Sequence, residues 1–311
     1  MNDPKTVKKI KIGVLCTRIR GDEKLLFEEI RQRDDCELIK INPEHYPYLL
    51  TGKVPEVFYE PDVIIDRCIN HSVAQYISKI LHEAGILIIN SPKLINICGD
   101  KLLTSLYLET KGVPTAKVKV AYSEKSALKA IEEMGYPCVL KPAVGSWGRL
   151  ISKVESKTSA EAILEHKAVL GTYHHSIFYI QEYIEKPQRD IRAFVIDGKC
   201  IAAIYRYSEH WITNTARGGK ATGCEITDEM KQIAKAAQDA IGPGVIALDL
   251  FEVPKTKDVP VDINDPSSYK LIINEINHTM EFKNSITTSG VNIPGKMVDY
   301  LIKKAKEKIK N

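Results

Sequence analysis

Short apolar runs alternate with amphipathic stretches over the first 96 residues of the chain. The apolar runs have the length and β-branched content of buried strands, and the stretches between them repeat apolar residues at helical spacing. The predicted strands are IKIGVLCT (10–17), CELIKIN (36–42), DVIID (62–66) and ILIIN (86–90), and the predicted helices cover 21–33 and 71–84. Because this alternation is typical of a parallel sheet covered by helices, we expect an N-terminal α/β domain at 1–96.

The rest of the chain mixes the two patterns and predicts two further α+β units, a central one at 97–183 and a C-terminal one at 184–311. In the central unit we expect helices at 100–112, 123–134 and 158–170 and strands at 116–121, 138–142, 150–154 and 177–184. In the C-terminal unit we expect strands at 190–196, 200–207, 245–253 and 271–277 and helices at 226–241 and 294–308. The polar, proline-rich stretch 254–268 predicts an exposed hairpin loop between the last two strands.

Composition narrows the class of protein. The chain has 311 residues, of which 44% are hydrophobic and 27% charged, as in a globular protein of two or three domains. A net charge of +4 is too small to argue for nucleic acid. The seven cysteines form no C-x-x-C pair, and no segment has the pattern of a secretory signal or a membrane span. We therefore expect a cytoplasmic protein with free thiols that binds neither nucleic acid nor membranes.

Two acidic residues lie inside apolar runs near the end of the chain. Asp249 is in VIALDLFEV (245–253), and Glu275 is in LIINEIN (271–277). If these runs pair as antiparallel strands, Asp249 lies opposite or near Glu275, and Glu275 shares a face with Asn277. Two carboxylates and an amide oxygen suit Mg²⁺, whereas two carboxylates without a cation would raise the pKa of one of them. A solvent-facing strand with incidental acids is not excluded by the alternation.

Three features that precede Asp249 in the sequence suit parts of a nucleotide. Lys101 begins a helical segment and Lys141 ends an apolar strand, where a compact ammonium group needs a partner such as phosphate. The glycine loop GSWGR (145–149) can present backbone N–H groups to phosphate oxygens, although it lacks the P-loop pattern. The connector QEYIEKPQRDIR (181–192) can face adenine and ribose. Taken singly, each feature also fits a plainer role: a snorkelling lysine, an ordinary turn or a solvated connector.

The stretch YRYSEHWITNTARGG (205–219) is too polar and irregular for a helix or a strand. Arg206 and Arg217 can each hold a carboxylate or phosphate in a planar fork, and Arg192 lies one strand earlier. A surface loop with ordinary arginines would have the same composition. The histidines match no metal template, and no G-x-S-x-G or Cys–His nucleophile signature occurs, so we expect no covalent acyl-enzyme chemistry.

Several motifs follow one another along the chain in a particular order: CGDK, KPAVGSWGRL, QEYI, RDIR, HWITNTARGG, DLFE, NEIN and NHTMEFKNS. In order and spacing they resemble the RimK-like branch of the ATP-grasp superfamily, over nearly the whole chain. The resemblance implies an α/β pre-ATP-grasp domain followed by two ATP-grasp subdomains with the nucleotide between them. It also implies ATP as a substrate and Mg²⁺, as two ions, as the metal.

Within that branch the chain is most similar to ligases of lysine biosynthesis. The resemblance implies that the α-amino group of 2-aminoadipate is joined, through an acyl phosphate, to the γ-carboxylate of the C-terminal glutamate of LysW, a small acidic carrier protein. It implies a nucleotide-binding set: Lys101, Lys141, Gly145, Ser146, Trp147, Gly148, Arg149, Gln181, Glu182, Tyr183, Ile184, Arg189, Asp190, Arg206 and Asn214. It implies these metal ligands: Asp249, Glu275 and Asn277. It implies these residues on the substrate side, with Arg192, Arg206 and Arg217 as catalytic groups: Arg192, Asn214, Thr215, Ala216, Arg217, Gly218, Asn284 and Ser285.

One pair of residues bears on the amino-acid substrate. Related ligases that use glutamate resemble this chain but carry Gly-Phe where it has Asn284–Ser285. A phenylalanine would shorten the pocket, so the pair implies the longer 2-aminoadipate. One methylene is worth only about 1–3 kcal/mol of discrimination, and an enzyme serving both pathways stays open. Glutamate addition to a ribosomal protein or an arginine-pathway carrier also stays open, as does a regulatory nucleotide-binding module without turnover. We also expect a homo-oligomer, either a dimer or a tetramer.

Overall fold

The computed structural model describes residues 9–50, 52–145, 150–170, 177–211, 213, 220–256 and 259–310. Over these ranges the chain forms three β-sheets of four, four and five strands, with helices packed on each. No helix in the described part of the chain is long and apolar enough to cross a membrane.

The first sheet is parallel throughout and has the order β2-β1-β3-β4, so the parallel sheet predicted from the alternating pattern is confirmed. Its elements are β1 (Ile10–Leu15), α1 (Gly21–Gln32), β2 (Cys36–Ile41), β3 (Val63–Asp66), α2 (His71–Glu83) and β4 (Ile88–Ile89). All four residues of β3 are buried, as expected for a parallel strand covered on both faces. Two short 3₁₀ helices, Pro43–His45 and Glu56–Phe58, were not predicted because one turn gives no readable period.

The second sheet is antiparallel and has the order β5-β8-β6-β7. Two helices connect the first sheet to it: α3 (Pro92–Cys98) and α4 (Lys101–Thr110). Its own elements are β5 (Val118–Ala121), α5 (Glu124–Met134), β6 (Cys138–Lys141), β7 (Ser152–Val154), α6 (Lys157–Leu170) and β8 (Phe178–Glu182). Helices α5 and α6 share a core with the strands through Ile131, Leu140, Leu164 and Ile180. The ends of β6 and β8 therefore carry Lys141 and Gln181–Glu182 out of this core.

The third sheet is antiparallel and has the order β11-β10-β9-β12-β13. Its elements are β9 (Arg189–Ile196), β10 (Lys199–Tyr207), β11 (Lys220–Gly223), α7 (Asp228–Ile241), β12 (Val245–Pro254), β13 (Tyr269–Asn277), α8 (Lys283–Ser289) and α9 (Ile293–Lys310). The pairing of β12 with β13 confirms the predicted antiparallel hairpin. Strand β11 and helix α8 are short and polar, and their patterns did not predict them.

The last helix, α9, lies against the first sheet rather than only against its own. It contacts α1, β1 and β3, and its Met297 and Leu301 share a hydrophobic core with Ile12 of β1 and Phe194 of β9. This common core fixes the loops that follow β1 and β3 relative to the third sheet, and the site is built at that junction.

Candidate active site

A cavity of about 470 Å³ lies where the three sheets meet. Its walls come from the loops after β1 and β3, the ends of β6 and β8, and one face of the third sheet. The volume falls within the range of about 300–1,000 Å³ that is usual for small-molecule and cofactor sites. The cavity is thus large enough for a nucleotide, and the charges on its walls indicate what it can bind.

A row of charged side chains crosses the third sheet on the face that lines the cavity. Strand register sets Arg206 opposite Asp190, Arg192 opposite Asp249, and Asp249 opposite Glu275. Arg206 holds Asp190 in a bidentate pair, with Nε–Oδ1 and Nη2–Oδ2 distances of 2.7 and 2.8 Å. Arg192 holds Asp249 in the same way at 2.9 and 3.0 Å. The predicted placement of Asp249 opposite Glu275 is confirmed.

Asp249 is charged although it is buried, with only 6% of its surface exposed. Burial by itself would raise the pKa of this carboxyl group, but Arg192 and Arg206, whose Nη2 lies 3.1 Å from Asp249 Oδ1, together hold the pKa well below its usual range. Asp249 therefore presents a carboxylate to the cavity at neutral pH. Because the two guanidinium groups are themselves held in bidentate geometry, the row is also rigid.

Asp249, Glu275 and Asn277 together form the donor set predicted for Mg²⁺. Glu275 and Asn277 are two residues apart on β13 and therefore share a face of the strand. Both line the cavity together with Asp249. Asn277 Nδ2 lies 3.4 Å from Asp249 Oδ2, so half a turn of the amide would present its oxygen to the same space. Within the described ranges no group of three or more His, Cys, Asp and Glu side chains could hold a metal ion. Two carboxylates and one amide nevertheless suit Mg²⁺, which commonly takes one or two carboxylates and completes its shell with water and phosphate.

The two predicted phosphate lysines meet at this carboxylate set. Lys101 begins α4, and its Nζ lies 3.3 Å from Glu275 Oε1 and 2.5 Å from the carbonyl oxygen of Gly145. Lys141 is the last residue of β6, and its Nζ donates to Asn274 Oδ1 at 3.1 Å. The cavity thus places two ammonium groups next to two carboxylates, which is the charge distribution that a metal–phosphate complex requires.

The environment of Lys141 predicts a pH-dependent affinity for ATP. Burial lowers the pKa of Lys141 from 10.5 to about 8, Glu275 opposes the shift, and Lys101 adds to it. Phosphate favours the ammonium form, so ATP should restore the proton. We expect the affinity for ATP to fall about tenfold per pH unit above roughly pH 8, and ATP binding near pH 9 to take up about one proton. Calorimetry in two buffers of different ionisation enthalpy measures this uptake.

Lys141→Met is the control, since it should bind ATP more weakly and without the proton uptake. A wild-type affinity that does not change between about pH 7 and 9.5 would contradict this explanation of the lowered pKa of Lys141.

The lowered pKa of Lys141 also makes the stability of the fold depend on pH. Between pH 8 and 10.5 the folded chain has released a proton that the unfolded chain keeps, so the contribution of Lys141 to stability rises with pH in that window.

The end of β8 supplies the wall predicted to face adenine. Gln181, Glu182, Tyr183 and Ile184 all line the cavity. Gln181 is 3% exposed, its Nε2 donates to Asn274 Oδ1 at 3.3 Å, and its Oε1 has no hydrogen-bond partner in the described part of the chain. A buried acceptor without a donor is costly, so this oxygen is suited to an N–H or N–H₂ group of a ligand.

Arg189 is the one described member of the predicted nucleotide set that does not line the cavity. It forms a bidentate pair with the fully buried Glu252 at 2.7 and 2.6 Å, and its guanidinium lies 4.0 Å from the ring centre of Tyr205. Successive strand residues point to opposite faces, so Arg189 lies across the sheet from Asp190. Its position indicates a structural ion pair beneath the site.

Asn284 and Ser285 lie in α8, which packs against β10 and β11 beside the cavity. Neither residue lines the cavity wall; Asn284 is exposed and Ser285 is buried. Nine predicted residues lie outside the described part of the chain: Ser146, Trp147, Gly148, Arg149, Asn214, Thr215, Ala216, Arg217 and Gly218.

One wall of the cavity contains none of the predicted site residues. It is formed by Arg20, Ile69 and His71, from the loops after β1 and β3, together with His278, Thr279 and Glu281 after β13. The ring of His71 occupies the space that a side chain at Gly99 would need, because an added Cβ there would lie 1.7 Å from the ring. The loops after β1 and β3 could have been predicted as part of the site, because ligands of parallel sheets bind at the carboxyl ends of the strands.

The fold is that of the ATP-grasp ligases. The ATP-grasp ligase PsnB, solved with a minimal precursor, Mg and ADP, matches with a TM-score of 0.67 at 17% identity, over 98% of this chain and 99% of that chain. Residues 98–301 match the RimK-like ATP-grasp domain, and residues 12–97 match the LysX preATP-grasp domain. The chain therefore belongs to the RimK-like ATP-grasp family of carbon–nitrogen ligases, as its motifs predicted.

Two relatives from Sulfurisphaera tokodaii span nearly the whole chain. The alpha-aminoadipate–LysW ligase LysX is 32% identical over 96% of this chain and 99% of its own length. The glutamate–LysW ligase ArgX is 29% identical over 94% of this chain and 98% of its own length. These two identities are nearly equal.

Proposed function

We propose that the protein uses ATP and Mg²⁺ to join the α-amino group of 2-aminoadipate to the γ-carboxylate of the C-terminal glutamate of the carrier protein LysW, in lysine biosynthesis. The observation that carries the proposal is the pairing of Asp249 with Glu275 on neighbouring strands, in one cavity with Lys101 and Lys141. The similarity to LysX over 96% of the chain supports the carrier and the pathway. All seven cysteines are free thiols, which supports a cytoplasmic location.

In the first step an oxygen of the carrier carboxylate attacks the γ-phosphorus of ATP. The bond to the β-phosphate oxygen breaks, giving an acyl phosphate and ADP. Lys101 and Lys141 hold the phosphates in line with the attacking oxygen. Bound to Asp249, Glu275 and Asn277, Mg²⁺ would neutralise charge on the phosphate oxygens.

In the second step the unprotonated amine of 2-aminoadipate attacks the carbonyl carbon of the acyl phosphate, phosphate leaves, and the nitrogen loses a proton. Arg192 and Arg206 lie in the same charged row and both line the cavity. Their bidentate pairs with Asp249 and Asp190 fix them in place before the reaction, so charge that develops on the transferred phosphate meets oriented donors. The chain contributes positioning and electrostatics, and no residue forms a covalent intermediate.

The Asn284–Ser285 pair, which stands where similar glutamate-using ligases carry Gly-Phe, predicts a change of substrate preference. In the double variant Asn284→Gly with Ser285→Phe, a bulky ring replaces the buried hydroxymethyl group of Ser285 beside the cavity. We expect the ratio of kcat/KM for 2-aminoadipate to that for glutamate to fall by about 10- to 100-fold. Thr287→Ala, on an exposed position of the same helix, is the matched control. An unchanged ratio in the double variant would rule these two residues out as selectors.

Release of ADP, measured while each component is left out in turn, tests the proposed reaction. ATP, Mg²⁺, carrier and 2-aminoadipate should all be required for sustained turnover. Sustained turnover without the carrier would reject the carrier as acceptor, and the absence of turnover with all four present would favour a regulatory nucleotide-binding module.

A further inference from the structure

Helix α8 begins without a side-chain cap of its own. Its N-cap position is Phe282, which has no group that can accept from the first N–H groups of the helix. The cap comes instead from the start of α1 in the N-terminal domain, where Asp22 Oδ1 accepts from the backbone N–H of Phe282 at 2.6 Å and from that of Lys283 at 2.8 Å. Asp22 is 7% exposed, so the contact is largely shielded from water.

A second contact from the N-terminal domain holds the segment just before α8. Arg67 is 1% exposed, and its Nε and Nη2 donate to Glu23 Oε1 at 3.0 and 2.8 Å. Its third nitrogen, Nη1, donates to the carbonyl oxygen of Met280 at 2.9 Å, and the guanidinium lies 5.6 Å from the ring centre of Phe282. Residues 280–283 are therefore tied to the N-terminal domain through both backbone and side chain.

The same stretch of chain borders the cavity on its other side. His278, Thr279 and Glu281 line the cavity, and α8 then carries Asn284 and Ser285. The contacts to Asp22 and Arg67 thus lie behind the residues that the proposed function assigns to recognition of the amino acid. A displacement of the first turn of α8 would move these residues without touching the lysines or the carboxylate set.

We propose that Asp22, supported by Arg67, is a positioning residue for selection of the amino-acid substrate. The N-terminal domain of the same chain caps α8 and so determines where the segment 278–285 lies relative to the cavity. Without the carboxylate, the N–H groups of Phe282 and Lys283 lose their acceptor, and the first turn of the helix is free to unwind. This inference rests on the proposed function, because it concerns how that site chooses between 2-aminoadipate and glutamate.

The test compares Asp22→Ala, Asp22→Asn and wild type in steady-state ligation of LysW. In Asp22→Ala the KM for 2-aminoadipate should rise about tenfold, which is the usual size of a lost cap, and the preference over glutamate should shrink by a similar factor. The KM for ATP should stay within about twofold of wild type. Asp22→Asn keeps an oxygen that can accept from both N–H groups, so it should restore most of the preference.

Asp62→Ala is the matched control, because Asp62 also accepts a backbone N–H within the N-terminal domain, from Lys11 at 2.8 Å, and does not touch residues 278–285. It should leave both KM values and the preference unchanged. An equal change in Asp62→Ala, or a lowered melting temperature of Asp22→Ala with unchanged KM and preference, would overturn the inference. Should Asp22→Ala not fold, Asp22→Glu moves the carboxylate by one methylene and should lower the preference, and an unchanged preference in that variant counts against the inference.

Hydrogen exchange gives a readout independent of turnover. The amides of Phe282 and Lys283 should lose protection from exchange in Asp22→Ala and keep it in Asp62→Ala. Retained protection in both variants would show that Asp22 does not cap α8. Failure of the proposed function has a separate signature. If wild-type protein adds neither amino acid to LysW, that function is rejected before any variant is compared, and the inference about selection falls with it.

Discussion

Glu275→Gln is expected to lower kcat by about three orders of magnitude while the protein stays folded. Glu275 is more accessible than Asp249, with a side chain 30% exposed against 8%, and its one ion pair in the described part of the chain is with Lys101 at 3.3 Å. Its replacement by a neutral isostere therefore leaves little buried charge without a partner. A metal ligand at the point of phosphoryl transfer is worth several kcal/mol, and each ~1.4 kcal/mol corresponds to a factor of ten in rate.

The control for this prediction is Glu281→Gln, a carboxylate of the same cavity that pairs with Arg20 instead. At saturating substrate it should keep most of the wild-type kcat. Binding of Mn²⁺ in the presence of an ATP analogue, followed by electron paramagnetic resonance, gives a readout besides activity. Wild type and Glu281→Gln should bind the ion alike, and Glu275→Gln should bind it weakly. Wild-type turnover or Mn²⁺ affinity in Glu275→Gln would remove Glu275 from the metal set.

The largest effect on stability is expected for Arg206→Met. Arg206 is 5% exposed and pairs with both Asp190 and Asp249, which are 2% and 6% exposed. Removing one partner of a buried ion pair typically costs about 3–5 kcal/mol, because the remaining charge is left uncompensated. The free energy of unfolding, measured by urea denaturation at pH 7, should fall by that amount.

Two comparisons make the Arg206 prediction specific. Lys231→Met breaks a solvent-exposed pair with Asp228 and should leave the unfolding midpoint unchanged. The double variant Arg206→Met with Asp190→Asn should recover part of the loss, since it removes one of the carboxylates left without its partner. A fall of less than about 1 kcal/mol in Arg206→Met would show that solvent screens the charged row as it screens surface pairs.

The sequence was sufficient to predict the pairing of Asp249 with Glu275. Two apolar runs joined by a polar, proline-rich loop favour an antiparallel hairpin, and alternation then places Glu275 and Asn277 on one face. Alternation did not predict the β-bulge beside Asp249, by which Asn274 also lines the cavity. The parallel first sheet was predictable for a similar reason, because continuous apolar strands alternating with amphipathic helices leave few other arrangements. In both cases the information is local.

What could not be predicted depends on neighbours that are distant in sequence. Arg192 meets Asp249 because β9 lies beside β12 in the sheet, an order that no run of residues reveals. Helix α8 has a weak pattern of its own and takes its cap from Asp22 of the N-terminal domain. Arg189 and Arg192 both lie on β9, and alternation already places them on opposite faces of the sheet. Which of the two faces lines the cavity, and that Arg189 pairs with Glu252 on the neighbouring strand, depends on the sheet order.

The mass of LysW after incubation with the protein, ATP, Mg²⁺ and an equal mixture of 2-aminoadipate and glutamate tests the central claim most directly. The carrier should gain the mass of one 2-aminoadipate residue, the gain should require ATP, and its rate should fall about a thousandfold with Glu275→Gln. An unmodified carrier, or a carrier that gains only glutamate, would contradict it.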